Sequence, residues 1–478
     1  LAIRLQSAGI ETVLVEARAQ VGGRAASEAR SGFTFDLGPT VLSRQQLLAD
    51  LWQLSGHDVA ADVTLLPVQP LWRFSWPDGA SFDLPDDPAA LAREVARLAP
   101  GDLAGFDELL SHARAFREEP GWGGKAVRAI GDLTVAARGL PGFARLQGWR
   151  SVHGMVSRYV SSPRLREALS FPALLAGANP MRGPAALLAD LHAEIEGGAW
   201  CVQGGTGQLA AIMARHFERL GGTIRLHDPV LRVHTIGDRA SEVETASGWR
   251  ERFAMVASNA DPMHTYRELL QESPQGPATA RRLARKRYAP GVFAVHFALE
   301  GTWPGIPHRM VLLPNRFEGL FEDVFEHGVL PQDMVIHLAH PSISDPSLAP
   351  EGKSVFQAFI PVAHRGKLPI DWETMGMLLE QRILAEIGRR LVPDLADRLV
   401  ARFHRSPRDT ALDFNAYLGS AWGLEPSLVQ SGPLRLPSRD AKIGNFYLTG
   451  TSCAASAGVA GVLESAATTA RLMLEDNE

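Results

Sequence analysis

Residues 10–40, IETVLVEARAQVGGRAASEARSGFTFDLGPT, decide the fold class of this chain. The apolar run at 12–15 predicts a short buried strand, and the acid Glu16 ends it. A glycine pair and an arginine follow, and a further strand leads into Gly38. This order is typical of the second half of a dinucleotide-binding βαβ unit, whose opening strand and G-x-G-x-x-G turn we expect just before Leu1.

Each of these residue types has a physical role in such a unit. The carboxylate of Glu16 can accept hydrogen bonds from a ribose diol. Gly22 and Gly23 let the backbone approach a nucleotide where a Cβ atom would clash, and Arg24 can neutralise a phosphate. An ordinary turn with an exposed glutamate is the alternative. The glycine pair six residues after the acid favours the nucleotide interpretation.

Composition excludes several classes of protein. The 478 residues are 45% hydrophobic and 21% charged, which is typical of a globular chain with a few subdomains. A net charge of −5 argues against binding to nucleic acid. Cys201 and Cys453 are too few for a disulfide framework and lack metal-ligand spacing, so we expect no metal and an intracellular setting. No apolar run reaches ~18 residues, so no transmembrane helix is predicted.

Residues 125–167 combine basic and apolar side chains. Eight lysines and arginines are opposed by only two acids, Asp132 and Glu167, and Trp149 and Tyr159 lie between them. This composition suits a membrane interface. A pair of helices packed on its own domain, with a solvated basic face, explains the pattern equally well.

The chain alternates between three kinds of segment. Nucleotide-fold patterns occur at its start, in its middle and at its end, and strand-rich and helical segments separate them. We therefore predict an α/β fold with a discontinuous, Rossmann-like domain, an inserted mixed-sheet substrate domain and a helical subdomain. The predicted limits are 1–56, 196–270 and 436–478 for the first, 57–100 and 271–435 for the second, and 101–195 for the third.

Longer stretches carry a resemblance to one family. They include LAIRLQSAGIETVLVEARAQVGGRA at 1–25, GFTFDLGPTV at 32–41, LQGWRSVHGMVSRYV at 146–160, LSFPALLAGANP at 169–180 and VASNADPMHTYRELL at 256–270. Over essentially all of its length, the chain resembles the bacterial phytoene desaturases. These are FAD-dependent carotenoid desaturases within the wider group of amine-oxidase-like flavoproteins.

The resemblance implies a set of residues around FAD. Glu16 would hold the adenosine ribose, and the backbone of Val230 would touch the adenine. The residues at the pyrophosphate, the ribityl chain and the isoalloxazine ring would be Gly22, Gly23, Arg24, Gly38, Pro39, Thr40, Gly450, Thr451, Gly458 and Val459. The last two would lie at the N-terminus of the final helix, where free N–H groups and partial positive charge stabilise an anionic reduced flavin.

The resemblance also implies the chemistry. Hydride would pass from one substrate carbon to flavin N5 while a proton leaves the adjacent carbon, which converts phytoene to lycopene-type products. An apolar channel would hold this C40 polyene, with Trp149, Phe171, Leu174, Leu175 and Trp422 as candidate lining residues. Such an enzyme is expected in the cytoplasm, peripherally associated with the inner membrane, with oxygen or a quinone as electron acceptor.

Two features depart from the family pattern. A Thr-His-Pro-Gly run in the loop after the last strand is replaced by CAAS at 453–456, and Ala460 replaces a proline. A family aspartate proposed as acid/base aligns with Val135. Asp132, about one helical turn away, is the nearest carboxylate and our candidate catalytic residue.

Other functions remain open at this point. A carotenoid isomerase, or a desaturase of an oxygenated carotenoid, would share the fold. A non-catalytic carotenoid- or membrane-binding module is the alternative from another class. Because the pyrophosphate turn is expected before Leu1, a chain that begins at Leu1 is expected to retain little FAD.

Overall fold

The computed structural model describes residues 1–119, 133–454 and 458–477, with side chains from residue 137 onward in the second range. The strands are β1 (Val13–Val15), β2 (Ser27–Arg30), β3 (Phe33–Asp36), β4 (Leu42–Ser43), β5 (Leu65–Pro67), β6 (Trp72–Ser75), β7 (Ser81–Leu84), β8 (Ala199–Val202), β9 (Thr223–Arg225), β10 (Val230–Ile236), β11 (Arg239–Thr245), β12 (Arg250–Arg252), β13 (Val256–Ser258), β14 (Gly291–Glu300), β15 (Arg309–Leu312), β16 (Ile336–Ala339), β17 (Lys353–Val362), β18 (Leu399–Arg405) and β19 (Phe446–Leu448).

The α-helices are α1 (Ala2–Ser7), α2 (Gln46–Gln53), α3 (Pro88–Leu98), α4 (Leu103–Glu118), α5 (Leu133–Arg145), α6 (Val152–Tyr159), α7 (Pro163–Ser170), α8 (Pro172–Leu175), α9 (Leu188–Gly197), α10 (Thr206–Arg219), α11 (Pro262–His264), α12 (Gln275–Leu283), α13 (Phe317–Glu322), α14 (Trp372–Arg390), α15 (Leu395–Arg398), α16 (Pro407–Phe414) and α17 (Gly458–Glu475). In the described part of the chain, no helix is both long and apolar enough to cross a bilayer.

Two parallel strand pairs involve both ends of the chain. β1 pairs with β9, and β13 pairs with β19. Helix α1 packs on α10 and α17, and Ile3, Phe217 and Leu463 share one buried core there. Because paired parallel strands end at the same edge, the residues that follow β13 and β19 are neighbours. The α/β class predicted from the sequence is confirmed.

A seven-stranded mixed sheet forms another part of the molecule, in the order β18–β14–β17–β16–β15–β6–β7. β6 and β15 pair in parallel, and the neighbouring pairs are antiparallel. One face packs on α14 through Phe293, Ile360 and Ile383. The opposite face contributes Trp72 and Phe74 to a core that it shares with the helical segment. The sheet therefore combines strands from both segments of the predicted substrate domain.

In the helical segment, residues 101–195, two helices begin at serine residues that cap them. The side chains of Ser151 and Ser162 accept hydrogen bonds from the backbone N–H groups of Gly154 and Leu165, at the starts of α6 and α7. The inner faces of α4, α6 and α7 then join the core beside the mixed sheet. The predicted limits of the three domains stay a prediction.

Candidate functional site

Glu16 lies at the carboxyl end of β1, where its N–H donates to the carbonyl of Arg225 (2.8 Å). Its carboxylate accepts a hydrogen bond from the N–H of Arg18 (2.8 Å), which orients the acid over its own turn. The N–H of Asp228 donates to the Glu16 carbonyl (3.1 Å), and β10 begins shortly afterwards at Val230. The structure therefore brings the two predicted adenosine contacts, Glu16 and Val230, to the edge where β1 and β9 end.

Three predicted glycines form a backbone cradle. Gly22 and Gly23 have φ angles of +114° and +52°, which glycine adopts without a steric penalty. A Cβ atom on Gly38 would lie 2.0 Å from the carbonyl oxygen of Arg24, so the chain after β3 meets this turn through backbone alone. A Cβ atom on Gly23 would meet nothing within 4 Å in the part of the chain that the structure describes.

The side chain of Arg24 crosses to a distant segment. Its Nη1 donates to the carbonyl of Ala421, and its guanidinium lies 5.7 Å from the centre of the Phe414 ring. Burial lowers the pKa of Arg24, and the nearby Asp261 carboxylate partly offsets this shift. Because a guanidinium stays protonated in proteins, the cradle carries a fixed positive charge.

The loop after β19 is held between two elements. A Cβ atom on Gly450, whose φ is +94°, would lie 2.3 Å from Oδ1 of Asn259, and the Gly450 N–H donates to Oγ of Ser465 on α17 (3.1 Å). Gly458 begins α17, and a Cβ atom there would meet no atom of the described residues within 4 Å. Val459 packs against the core around α1 and α10. The N-terminus of an 18-residue helix carries partial positive charge and N–H groups, which suit an anionic group.

The residues after Gly38 are anchored to the start of α10 and to the residue before β15. Oγ1 of Thr206 donates to the carbonyl of Pro39 (2.6 Å). Oγ1 of Thr40 lies 3.1 Å from Nε2 of His308, the residue before β15. Burial lowers the pKa of His308 to about 3, so the ring is neutral near pH 7. Two polar contacts thus connect the predicted flavin-proximal turn with its surroundings.

Sequence reasoning does not single out Asp36, which ends β3. Its carboxylate accepts hydrogen bonds from Oγ of Ser27 (2.5 Å) and from the N–H of Thr206 (2.9 Å), the first residue of α10. Burial raises the pKa of Asp36 to about 6, although these hydrogen bonds favour the ionised form. A buried acid therefore ties the β2–β3 hairpin to a helix N-terminus, where negative charge is stabilised. The phenylalanines on either side of Thr34 are the available sequence signal that this strand end is buried.

The candidate channel residues lie in different surroundings. Phe171 and Leu174 are buried in the core beside the mixed sheet. Leu175 and Trp422 are half-buried. Trp149 is 54% exposed. The structure does not gather the five into one cluster, and their roles stay predictions.

Trp422 nevertheless connects two predicted regions. A Cβ atom on Gly177 would lie 2.7 Å from Cβ of Trp422, so the loop after α8 contacts this tryptophan. The residue before it, Ala421, accepts the hydrogen bond from Arg24. Trp422 therefore lies between the cofactor cradle and the segment that holds Leu174 and Leu175.

Two inner-strand residues that sequence reasoning missed keep accessible surface. β16 and β17 are inner strands, yet His337 and Phe359 are only half-buried. The two residues pair across the strands, and their ring centres are 4.3 Å apart. Both ring nitrogens of His337 are buried without a hydrogen-bond partner among the described residues, and burial lowers its pKa far below the ordinary value.

These two rings form an uncharged patch. Val311, opposite His337 on β15, is fully buried and extends the same face. This face therefore combines a fully covered residue with two rings that keep accessible surface. The sequence of an inner strand is a nearly continuous apolar run. It therefore does not indicate which face of the strand is packed against other side chains.

The altered loop and the candidate acid are only partly described. Asp132 lies outside the described residues, and so do residues 455 and 456. Cys453 is buried, and burial raises the pKa of its thiol to about 12. Arg435 donates to the carbonyl of Thr451 (3.1 Å), so the loop after Gly450 bends around a guanidinium. Within residues 1–119, 133–454 and 458–477, no three His, Cys, Asp or Glu side chains group as metal ligands.

Comparison with known proteins gives one family model and several relatives. The model described as flavin containing amine oxidoreductase matches residues 1–474. The chain is 40% identical over 480 residues to a phytoene desaturase (lycopene-forming) of a Paracoccus species, covering 100% of this chain and 95% of the relative. It is 38% identical over 480 residues to the phytoene desaturase (lycopene-forming) of Pantoea ananas, covering 100% and 96%.

A solved structure has a similar fold. A putrescine oxidase variant superimposes with a TM-score of 0.66 at 14% identity, covering 99% of this chain and 96% of that chain. At this identity the likeness concerns the fold alone.

Proposed function

Because the chain belongs to the family of flavin containing amine oxidoreductases, we propose that it is an FAD-dependent enzyme that desaturates the C40 carotenoid phytoene to lycopene-type products. The observation that carries this proposal is the 40% identity, along the whole chain, to a lycopene-forming phytoene desaturase. The reaction class is oxidation of a CH–CH bond.

The residues of the cradle fit FAD. The fixed charge of Arg24 suits a diphosphate, and Glu16 ends β1 where an adenosine ribose binds in such folds. A Cβ atom on Gly23 or on Gly458 would meet none of the described residues within 4 Å, and the start of α17 offers N–H groups to the flavin. These residues would hold the cofactor.

These residues would hold FAD, which when bound would supply the acceptor for a hydride from one carbon of the substrate. The chain itself has to hold the polyene, keep water away and let a proton leave the adjacent carbon. Positive charge on an allylic substrate spreads over the conjugated double bonds, so a weak base is sufficient. Asp132 stays our candidate for that base. The ring faces of Trp422 and Phe359 would stabilise the developing charge.

We propose that the polyene lies along the face of the mixed sheet that carries His337 and Phe359. Their accessible surface on inner strands supports this path, and the neutral imidazole adds no charge to it. Trp422 and Leu175 would line this path where the polyene comes close to the cradle. Phe171 and Leu174 would support this wall from behind, because both are fully buried.

We also propose that the enzyme associates peripherally with the inner membrane. Helix α5 and the segment after it expose two large apolar side chains, Leu140 (53%) and Trp149 (54%). Four arginines are exposed around them, Arg138, Arg145, Arg150 and Arg158. Exposed apolar residues rimmed by basic ones suit an anionic lipid surface. A substrate that dissolves in lipid would enter from this side, and oxygen or a quinone would reoxidise the cofactor.

The test is turnover in a lipid environment. Full-length enzyme reconstituted with FAD is incubated with phytoene in liposomes, with dioxygen or a soluble quinone as acceptor. We expect products with longer conjugated chromophores, seen as red-shifted absorption bands. A carotenoid isomerase would shift the bands only slightly. Flavin-loaded enzyme that leaves phytoene unchanged would contradict the proposal.

A further inference from the structure

Two guanidinium groups of the nucleotide-binding segment meet on one aromatic ring. The guanidinium carbon of Arg18 lies 5.2 Å from the centre of the Phe414 ring, and that of Arg24 lies 5.7 Å from it. All three side chains are half-buried. Two like charges repel each other, and a ring that both contact attracts each of them.

The ring comes from a distant part of the chain. Phe414 is the last residue of α16, whose start is secured by a capping box between Ser406 and Asp409. The segment that follows then returns to the cradle, where Ala421 accepts the hydrogen bond from Arg24. Between them, the N–H of Tyr417 donates to Oδ2 of Asp261 (3.2 Å) in the turn after β13.

The backbone of this segment supports a defined position for the ring. Asn415 and Leu418 both adopt positive φ angles, +51° and +58°. Such angles are uncommon for residues other than glycine and persist only where the surroundings determine them. The backbone conformation of this segment and its two hydrogen bonds, to Arg24 and to Asp261, therefore fix the position of the segment together.

We propose that Phe414 is a positioning residue for the cofactor, which holds the guanidinium groups of Arg18 and Arg24 toward the diphosphate of FAD. An arginine side chain has many rotamers, and fixing them in advance lowers the cost of binding. Two guanidinium groups on one side of the cradle match the two negative phosphates. The ring itself binds no phosphate and acts through the arginines.

The experiment measures FAD affinity in full-length enzyme by flavin fluorescence titration. The variants are Phe414→Ala, Phe414→Leu and Phe414→Tyr, and Leu412→Ala is the matched control, because Leu412 lies on the same helix and is 63% exposed. Two cation–π contacts predict that Phe414→Ala and Phe414→Leu each weaken FAD binding about tenfold. Phe414→Tyr keeps the ring face and should stay within about twofold of the wild type, as should Leu412→Ala.

The leucine variant separates the proposed role from simple packing. If Phe414→Leu binds FAD as tightly as the wild type, the ring face is not needed and the proposal is overturned. Unchanged affinity in Phe414→Ala overturns it as well. Thermal unfolding of the FAD-free enzymes should show similar midpoints for Phe414→Leu and Phe414→Tyr. A midpoint that falls in step with affinity would assign Phe414 a purely structural role and would also overturn the proposal.

This inference rests on the proposed function only for the identity of the cofactor. If the enzyme binds FAD but leaves phytoene unchanged, the proposed substrate is wrong, and the FAD affinities of the Phe414 variants still decide the role of the ring.

Discussion

Burial of single residues decides which groups near the cradle carry charge. Desolvation disfavours the charged form of both Asp36 and His308, so the pKa of the acid rises to about 6 and that of the histidine falls to about 3. Arg24 remains a cation, because even a lowered guanidinium pKa stays far above neutrality. The surroundings of the cradle therefore combine a neutral imidazole with a permanent positive charge.

Asp36 makes the stability of the fold depend on pH. Its carboxyl group has a pKa of ~3.9 in an unfolded chain and about 6 in the folded protein. The folded state therefore binds the proton more tightly, and this stabilisation is fully present below pH ~4 and lost as the pH rises through about 6. The loss amounts to about 3 kcal/mol.

The check is the free energy of unfolding of the wild type and of Asp36→Asn at pH 4 and pH 7. We expect the wild type to lose about 2 kcal/mol more than the variant between these two pH values, because the unfolded chain is already partly ionised at pH 4. A difference between the two proteins that does not change with pH would rule out Asp36 as the titrating group.

Phe359 should matter for the substrate and not for the cofactor. Removing its ring takes away apolar contact worth about 1–2 kcal/mol, so Phe359→Ala should lower kcat/KM for phytoene about tenfold. FAD occupancy, measured by absorbance, should not change. Phe359→Leu retains most of the apolar surface and should keep most of the activity. Full activity of Phe359→Ala would show that the polyene takes another path.

Helix α17 is joined to β19 by two hydroxyl groups. Oγ of Ser465 accepts the N–H of Gly450, and Oγ1 of Thr469 donates to the carbonyl of Leu448 (3.1 Å). Both side chains are fully buried. These bonds hold the loop after β19 and the start of α17 in register, so the helix that borders the cradle is not positioned by apolar packing alone.

Ser465→Ala tests this joint. It leaves the N–H of Gly450 buried without its acceptor, which should cost about 1–3 kcal/mol of stability in chemical denaturation. Ser111→Ala is the control, because Ser111 is a helical serine whose hydrogen bond to Asp107 is exposed. Equal stability of the two variants would mean that the Gly450 N–H finds another partner.

Helix α5 and the segment after it should carry membrane binding. Trp149→Ser removes an exposed ring that would enter the lipid interface, and it should weaken cosedimentation with anionic liposomes about tenfold. High salt should weaken binding of the wild type, because it screens the exposed arginines. Leu412→Ser changes another exposed apolar residue and should have no effect. Equal losses for both variants would argue against a specific docking surface.

Over the molecule as a whole, one buried ion pair connects the helical segment to the mixed sheet. Glu194 on α9 accepts hydrogen bonds from Nη1 of Arg309 on β15 and from Nε1 of Trp72 on β6 (3.1 Å). The Arg309 guanidinium lies 3.5 Å from the centre of the Trp72 ring and is 7% exposed. Charge, hydrogen bonding and ring contact therefore join α9 to two strands.

Glu194→Ala should be strongly destabilising, by about 3–5 kcal/mol, because it leaves Arg309 buried without its carboxylate. The double variant Glu194→Leu with Arg309→Met removes both charges and should recover most of the loss. The exposed pair Glu373 and Arg408 is the control, and Glu373→Ala should cost less than about 1 kcal/mol. Denaturant unfolding measures all three. If the double variant is no more stable than Glu194→Ala, the contact between α9 and the mixed sheet depends on side-chain packing and not on the ion pair.

Much of the cradle could be predicted from residues 10–40. Glu16 does follow directly on a strand, and Gly22 and Gly23 do adopt positive φ angles. The flavin cofactor is confirmed by the family. The channel was harder to predict. An apolar residue that packs in a core, such as Phe171, and an apolar residue that contacts a substrate have the same sequence pattern.

Short-range pattern was enough for the α/β class and the glycine positions, because backbone conformation and strand periodicity depend on neighbours a few residues away. The flavin followed from the resemblance of longer stretches of sequence to one family. The folded molecule alone decided which aromatic rings keep accessible surface and which ring the two arginines share. Those properties depend on residues such as Arg24 and Ala421, which lie 397 positions apart in the chain and meet only when all the layers between them have packed.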